Sequence, residues 1–162
     1  MRILGIDPGS RITGVGIVEG ESLILAESLR LGSGPMPERL GQIYQRLVDI
    51  IAEFQPDEAA IETVFMSKNP QSAIKLGQAR GAAICALVGG GLEVHEYAPR
   101  EIKQALVGRG GAGKEQVQHM TRAILKTPAR IGEDAFDALA VALCHHHTRQ
   151  TLSRLPAGVV LR

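Results

Sequence analysis

Residues 3–31 read ILGIDPGSRITGVGIVEGESLILAESLRL and contain three runs of β-forming residues joined by short turns. The first run, ILGID, is apolar until it ends on an aspartate, and a Pro-Gly-Ser turn follows it. Residues 13–19 and 22–31 form two further runs, with Gly20-Glu21 between them as a tight turn. Consecutive strands with such short links predict an antiparallel meander at the start of the chain.

The rest of the chain alternates between helical and strand patterns. Pro37 opens a helix whose apolar residues recur at helical spacing as far as Phe54, and Pro56 ends it. Later helices are predicted over 71–88, 99–107, 114–126 and 133–147, and later strands over 58–62 and 92–97. This order predicts an α/β fold with a five-stranded mixed sheet, antiparallel in its first three strands and parallel in its last two, with helices on both faces.

Length and composition predict one domain over 1–148, followed by a flexible tail over 149–162. Hydrophobic residues make up 44% and charged residues 22%, which is ordinary for a globular protein. No apolar run reaches the roughly 18 residues of a membrane span, and no signal-peptide layout precedes the first strand, so we expect a cytoplasmic protein. Cys85 and Cys144 form no CxxC pair, which predicts reduced thiols and argues against a structural zinc.

The formal net charge of +1 conceals an uneven distribution of charge. Residues 1–62 contain five Lys/Arg and ten Asp/Glu, a balance of −5, whereas residues 100–130 contain seven Lys/Arg and two Glu, a balance of +5. A basic segment beside an acidic one suggests a polyanionic partner held near a site that binds cations. An ordinary solvated helical face is the alternative, and charge alone does not exclude it.

Four acidic residues lie at positions where functional sites commonly form in α/β proteins. Asp7 ends the first predicted strand, Glu62 ends the fourth, and Asp134 and Asp137 lie on one face near the start of the last helix. Four converging carboxylates would raise one another's pKa unless cations neutralised them. Oxygen ligands favour Mg²⁺ or Mn²⁺, and two such ions about 4 Å apart can clamp the oxygens of a phosphoryl displacement. The pattern therefore predicts a two-ion site.

Each acid also has an ordinary structural explanation. Asp134 could cap the last helix, Asp137 could offset its dipole, and Asp7 could be a turn residue before Pro-Gly. Glu62 has the weakest such explanation, because it follows the apolar run Ala-Ala-Ile. Taken together, the four positions favour the metal site.

Four segments carry a family resemblance that covers the chain from residue 1 to about 148. They are GIDPGSRITGVG (5–16), IETVFMSKNPQSAIKLGQARG (61–81), EYAPREIKQALVGRGGAGKEQVQHM (96–120) and DAFDALAVALCH (134–145). In combination they closely resemble the RuvC family of bacterial crossover-junction endodeoxyribonucleases.

The resemblance implies a ribonuclease H-like nuclease domain and a specific reaction. It implies a homodimer that binds four-way junction DNA and makes two symmetric nicks in strands of like polarity, leaving ends that a ligase can seal. Cooperation with a branch-migration motor complex is implied as well.

The resemblance also assigns the catalytic residues. It implies that Asp7, Glu62, Asp134 and Asp137 bind two Mg²⁺ or Mn²⁺ ions, and we expect Asp7, on the central strand, to bridge them. Some relatives have His at the position of Asp134. Lys114 is implied to stabilise charge on the phosphate or to help activate water.

Residues implied to contact DNA are Phe65, Lys68, Lys75, Arg80, Lys103, Arg109 and Lys114. Phe65 lies in a polar loop of a chain with only three Phe and no Trp, so it is a candidate to stack on unpaired bases. A core Phe and ordinary exposed lysines are the alternatives. The basic segment would hold the DNA backbone and select shape more than base sequence.

Two other functions fit parts of the sequence. DPGSRITGVG is similar to the first phosphate-binding turn of sugar kinases and actin-like ATPases, but 162 residues are too few for the second nucleotide-binding half that such enzymes need. A non-catalytic protein that binds DNA structures is the other alternative, and the complete set of acids argues against it.

Two further features admit structural explanations. His145, His146 and His147 suggest a metal site, but a solvated helix end is the favoured interpretation, because successive residues point around the helix in different directions. In helix 71–88, the small residues Gly77, Gly81, Ala82 and Ala86, flanked by Ile74 and Leu87, predict a dimer contact. The alternative is that these glycines let the helix lie close on its own sheet.

Overall fold

The N-terminal strands form the predicted meander in the computed structural model, which describes residues 1–63, 69–127 and 131–154. Strand β1 (Arg2–Asp7) pairs antiparallel with β2 (Ile12–Glu19), and β2 pairs antiparallel with β3 (Ser22–Arg30). Gly20 takes a positive φ of 62° in the tight turn between β2 and β3, a conformation that glycine adopts at little cost.

Two parallel strands complete the sheet. Strand β4 (Glu58–Glu62) pairs parallel with β1, and β5 (Glu93–Tyr97) pairs parallel with β4, giving the order β3-β2-β1-β4-β5. The predicted five-stranded mixed sheet is therefore confirmed.

Helices cover both faces of this sheet. Helices α1 (Met36–Phe54) and α2 (Pro70–Gly89) pack on one face, in a core with Leu4, Ile6 and Ile61. On the other face lie α3 (Pro99–Val107), α4 (Lys114–Leu125) and α5 (Glu133–Arg154). None of the helices in the described part of the chain is long and apolar enough to cross a membrane.

Helix α2 buries a face of mostly small side chains. Two of its larger apolar residues, Ile74 and Val88, are 62% and 59% exposed. The face that packs on the sheet consists of Ala79, Ala83, Ala86 and Leu87, all fully buried. Small side chains let this helix lie close to the strands, and Ile74 and Val88 lie on its exposed side.

Helix α5 is longer than predicted. It continues to Arg154 rather than ending near residue 147, so the first six residues of the predicted flexible tail are helical, while residues 155–162 lie outside the described part. The guanidinium of Arg149 lies 3.0 Å from the carboxylate of Glu58 on β4. This ion pair and the burial of His145 hold the extension against the sheet.

Glycines on β1 and β2 allow α5 to pack directly on the strand backbone. A Cβ added at Gly5 would lie 2.2 Å from the carbonyl oxygen of Ala138, and one at Gly14 would lie 2.0 Å from that of Asp134. No side chain fits at either position without displacing the helix. Because Gly14 pairs with Asp7 in the β1–β2 register, this contact places the start of α5 beside the end of β1.

Candidate functional site

Asp7 and Glu62 meet at one edge of the sheet. They end the neighbouring parallel strands β1 and β4, whose register pairs Ile6 with Ile61. Side chains alternate along a strand, so both carboxyl groups project from the face that α5 covers, opposite to the side chains of Ile6 and Ile61. There the two carboxyl groups lie close enough that each shifts the pKa of the other.

Helix α5 adds two more acids to this pair. Asp137 lies in the same cavity as Asp7 and Glu62, and the charges of both Asp134 and Asp137 act on Asp7. Asp134 is the second residue of α5 and so is not its N-cap, which weakens the explanation that it only caps the helix. The structure thus brings together the four acids that the sequence singled out.

Three of the four acids, Asp7, Glu62 and Asp137, line an open cavity of about 360 Å³ with a basic side. Lys103 comes from α3 and Lys114 from the start of α4. Apolar side chains complete the wall, and the lining residues are Asp7, Glu62, Pro99, Ile102, Lys103, Lys114, Val117, Asp137 and Ala140. The cavity therefore offers carboxylates and ammonium groups to one ligand.

Burial and mutual repulsion keep part of this acid set protonated. Burial first, and then the charge of Glu62, raise the pKa of Asp7 to about 8. Burial also raises the pKa of Glu62 and of Asp137, while Lys114 opposes the shift at both. Asp7 is therefore the acid that holds a proton near neutral pH when no cation is present.

Lys114 is held as a cation between two acids. Its Nζ lies 2.9 Å from Oδ2 of Asp137 and 2.7 Å from Oε1 of Glu133. Burial favours the neutral amine, but the hydrogen bonds to Glu133 and Asp137 outweigh it and raise the pKa of Lys114. The pairing of Lys114 with Glu133 was not predicted from the sequence.

The predicted DNA contacts have different surroundings. Lys75 is exposed on α2, and Arg109 is exposed in the loop before α4. Arg80 donates to the backbone carbonyl of Glu62 at 3.3 Å and also pairs with Glu96, so it supports the end of β4 instead of standing free. The contacts predicted for Phe65 and Lys68 fall outside the described residues.

The interpretation of the three histidines as a solvated helix end is wrong for the first of them. His145 is only 1% exposed and packs on the sheet near Glu58. His146 and His147 are partly exposed, and their rings lie against each other. The reason is that α5 continues beyond residue 147, so His145 lies within the helix, on the part of it that packs against the sheet.

Residues 3–145 match the protein family described as "Crossover junction endodeoxyribonuclease RuvC". Proteins of that name from Alkalilimnicola ehrlichii and Marinobacter nauticus are 56% and 53% identical to this chain. The first alignment covers 95% of this chain and 96% of the relative, and the second covers 94% and 90%.

Solved structures show the same fold. Thermus thermophilus RuvC in complex with a Holliday junction substrate superposes with a TM-score of 0.87 at 35% identity, covering 94% of this chain and 97% of that one. The yeast mitochondrial Holliday junction resolvase Ydc2 has a TM-score of 0.69 at 12% identity, covering 93% and 80%, which supports the fold alone.

Proposed function

Because the chain belongs to the RuvC family of crossover junction endodeoxyribonucleases, we propose that it resolves four-way DNA junctions by hydrolysing phosphodiester bonds at the cavity of Asp7 and Glu62. One observation carries the assignment of the site. Three acids and two lysines from separate elements line the same cavity, although they are scattered from residue 7 to residue 137. A junction-binding protein without catalytic activity would have no use for buried carboxylates that repel one another.

The carboxylates fit a pair of divalent cations. The donor set is all oxygen, and hard ions such as Mg²⁺ or Mn²⁺ prefer oxygen ligands. The residues that would hold the ions are Asp7 and Glu62 from the strands and Asp134 and Asp137 from α5. When bound, two such ions neutralise the charge that develops on the attacking and leaving oxygens. A bound cation would take the place of the proton on Asp7, so the raised pKa of Asp7 supports its role as a ligand.

The reaction is the addition of a water oxygen to phosphorus and the breaking of the bond to the 3′ oxygen. The carboxylates orient the nucleophilic water, and a carboxylate or a second water accepts its proton. Lys114 stays charged at neutral pH, so of its two implied roles we favour stabilisation of the phosphate over acceptance of a proton. Lys103, on the same wall, adds a second positive charge for the DNA backbone.

Two cuts of matched geometry require two active sites, which a two-fold dimer supplies. The outer face of α2 is our candidate interface, since Ile74 and Val88 are exposed and Gly77 and Gly81 have open space around them. The alternative role for these glycines, close packing on the chain's own sheet, is therefore wrong.

The sequence analysis included Ala86 and Leu87 in this interface, but both are buried in the chain's own core. Ala82, the last of the predicted interface residues, is partly buried. The proposed contact is accordingly restricted to the exposed side of the helix.

A nicking assay on a synthetic four-way junction tests the proposed function. We expect paired nicks that depend on added Mg²⁺ or Mn²⁺, and no cutting of a linear duplex of the same sequence. Absence of cutting on the branched substrate at every metal concentration would leave only a binding function. An ATP-binding assay tests the kinase-like alternative, and we expect the protein not to bind ATP.

A further inference from the structure

A second cluster of ligand-type side chains lies at the opposite end of β4 from the nuclease cavity. Glu58 begins this strand and Glu62 ends it, so the two are about 13 Å apart along an extended chain. Glu58 is joined there by His95 from β5 and by His145 from α5. The nuclease cavity uses none of the three residues.

The three side chains present their donor atoms to one another. Nε2 of His145 lies 2.6 Å from Oε2 of Glu58, and Nε2 of His95 lies 3.9 Å from the same oxygen. The two imidazole rings are stacked, with centroids 4.2 Å apart. One donor atom from each residue falls within 4.8 Å of those of the other two.

We propose that Glu58, His95 and His145 form a second metal site, which takes a divalent transition ion of the zinc type. Two imidazole nitrogens and one carboxylate oxygen are a ligand set that zinc accepts, and the nitrogens discriminate against Mg²⁺. The set leaves a fourth coordination position for water. The site is thus distinct in both place and chemistry from the all-oxygen nuclease cavity.

An independent observation points to a missing ligand at this position. Nε2 of His95 is buried and has no hydrogen-bond partner among the described residues. Its nearest acidic atom is Oε1 of Glu93, at 3.4 Å on the same strand. A buried ring nitrogen without a partner is costly, and coordination of a cation would satisfy it.

The surroundings orient two of the ligands. The hydroxyl of Tyr97 lies 2.7 Å from Nδ1 of His145, which fixes the ring and directs Nε2 towards Glu58. Arg149 contacts Oε1 of Glu58 at 3.0 Å, so Oε2 is the oxygen that faces the two imidazoles. Metal–nitrogen bonds of about 2.0 Å place ligand atoms roughly 3.3 Å from one another. An ion would therefore replace the 2.6 Å contact between Nε2 of His145 and Oε2 of Glu58, which must widen, while Nε2 of His95 must approach that oxygen.

Zinc binding by the whole protein tests the proposal. The Asp7→Asn variant is used as background with Mg²⁺ in excess, so that the nuclease cavity does not take up the probe. We expect one Zn²⁺ per chain by equilibrium dialysis, and a Co²⁺ complex with the intense visible absorption of four-coordinate geometry. His95→Ala in the same background should lose binding at least about tenfold, and Tyr97→Phe should weaken it about tenfold to a hundredfold.

The control is the double variant His146→Ala/His147→Ala. It removes the two neighbouring imidazoles on α5 but none of the three ligands, so zinc binding should be unchanged. Zinc should also raise the melting temperature of the background protein but not that of His95→Ala. Binding that survives His95→Ala, or that the control abolishes, would overturn the proposal, as would no stoichiometric binding at all.

Discussion

Asp7 and Glu62 end the neighbouring parallel strands β1 and β4, and their carboxyl groups project from the same face of the sheet. Burial and the charge of Glu62 raise the pKa of Asp7, so Asp7 holds a proton when no cation is bound. A cation bound between the two carboxyl groups would take the place of that proton. The first two predictions follow from this exchange.

Asp7→Asn should abolish junction nicking while leaving junction binding nearly intact, because it removes a ligating oxygen but no basic residue. The measurement is nicking at saturating Mg²⁺ together with a gel-shift affinity, and binding should even tighten slightly as a negative charge near the phosphate is lost. Asp49→Asn, an exposed acid on α1, is the control and should cut normally. Cleavage by Asp7→Asn above a few per cent of wild type would contradict the assignment.

The same substitution should stabilise the metal-free protein, and more so at high pH. The pKa of Asp7 is raised on folding from 3.8 to about 8, so the folded state holds a proton that the unfolded state releases. The contribution of this carboxyl group to stability is therefore most favourable below about pH 4 and falls as the pH rises towards 8. In EDTA, Asp7→Asn should melt above wild type at pH 8, with a smaller difference at pH 5. An equal difference at both values would show that the carboxyl is not protonated on folding.

Lys103→Ala should make junction binding less dependent on salt. If Lys103 neutralises one phosphate, the slope of log affinity against log salt becomes shallower by about one unit. Arg30→Ala on the edge strand β3 is the matched control and should leave the slope unchanged. A slope that Lys103→Ala does not alter would place this side chain away from the DNA backbone.

Gly14→Ala should disturb both stability and cutting. The added methyl would meet the carbonyl oxygen of Asp134, so α5 must shift and carry Asp134 and Asp137 away from Asp7. We expect a lower melting temperature and a nicking rate reduced more than tenfold. Gly41→Ala on α1 has open space and should be neutral or stabilising by up to about 1 kcal/mol. Normal activity of Gly14→Ala would mean that the helix position does not set the site.

Val88→Asp should yield a folded monomer that nicks junctions singly. Val88 is 59% exposed within one chain, so the charge costs little in the isolated fold but opposes a dimer contact there. Sedimentation and the ratio of paired to single cuts are the measurements. Leu152→Asp, 43% exposed on α5, is the control and should remain dimeric. A wild-type chain that sediments as a monomer at micromolar concentration, with paired cutting intact, would refute the dimer.

The sequence predicts the strands and their order well because local patterns determine them. The boundaries of β4 and β5 follow from short apolar runs between turns, and Asp7 and Glu62 stand where those patterns end. The structure adds that β1 and β4 are neighbouring parallel strands, and this adjacency brings the two acids together. The local pattern places Asp137 near the start of a helix, but it does not predict that this residue approaches Asp7 and Glu62.

What the sequence does not reveal depends on tertiary contacts. The packing of α5 on Gly5 and Gly14 has no local signal, because a glycine in a strand pattern is equally consistent with a bulge. The burial of His145 depends on Glu58 and Tyr97, which lie on two other strands. Likewise, α2 buries Ala79, Ala83 and Ala86 together with Leu87 but exposes Ile74 and Val88, which hydrophobicity alone does not predict.

The contact between α5 and the glycines of β1 and β2 has a consequence for the biosynthesis of this nuclease. Of these elements, a ribosome releases β1 first and α5 last, so the acids of β1 and α5 can meet only after nearly the whole fold has been synthesised. A nascent or truncated chain that lacks α5 carries Asp7 and Glu62 but not Asp134 or Asp137. Such a chain cannot assemble the cavity that Asp137 completes.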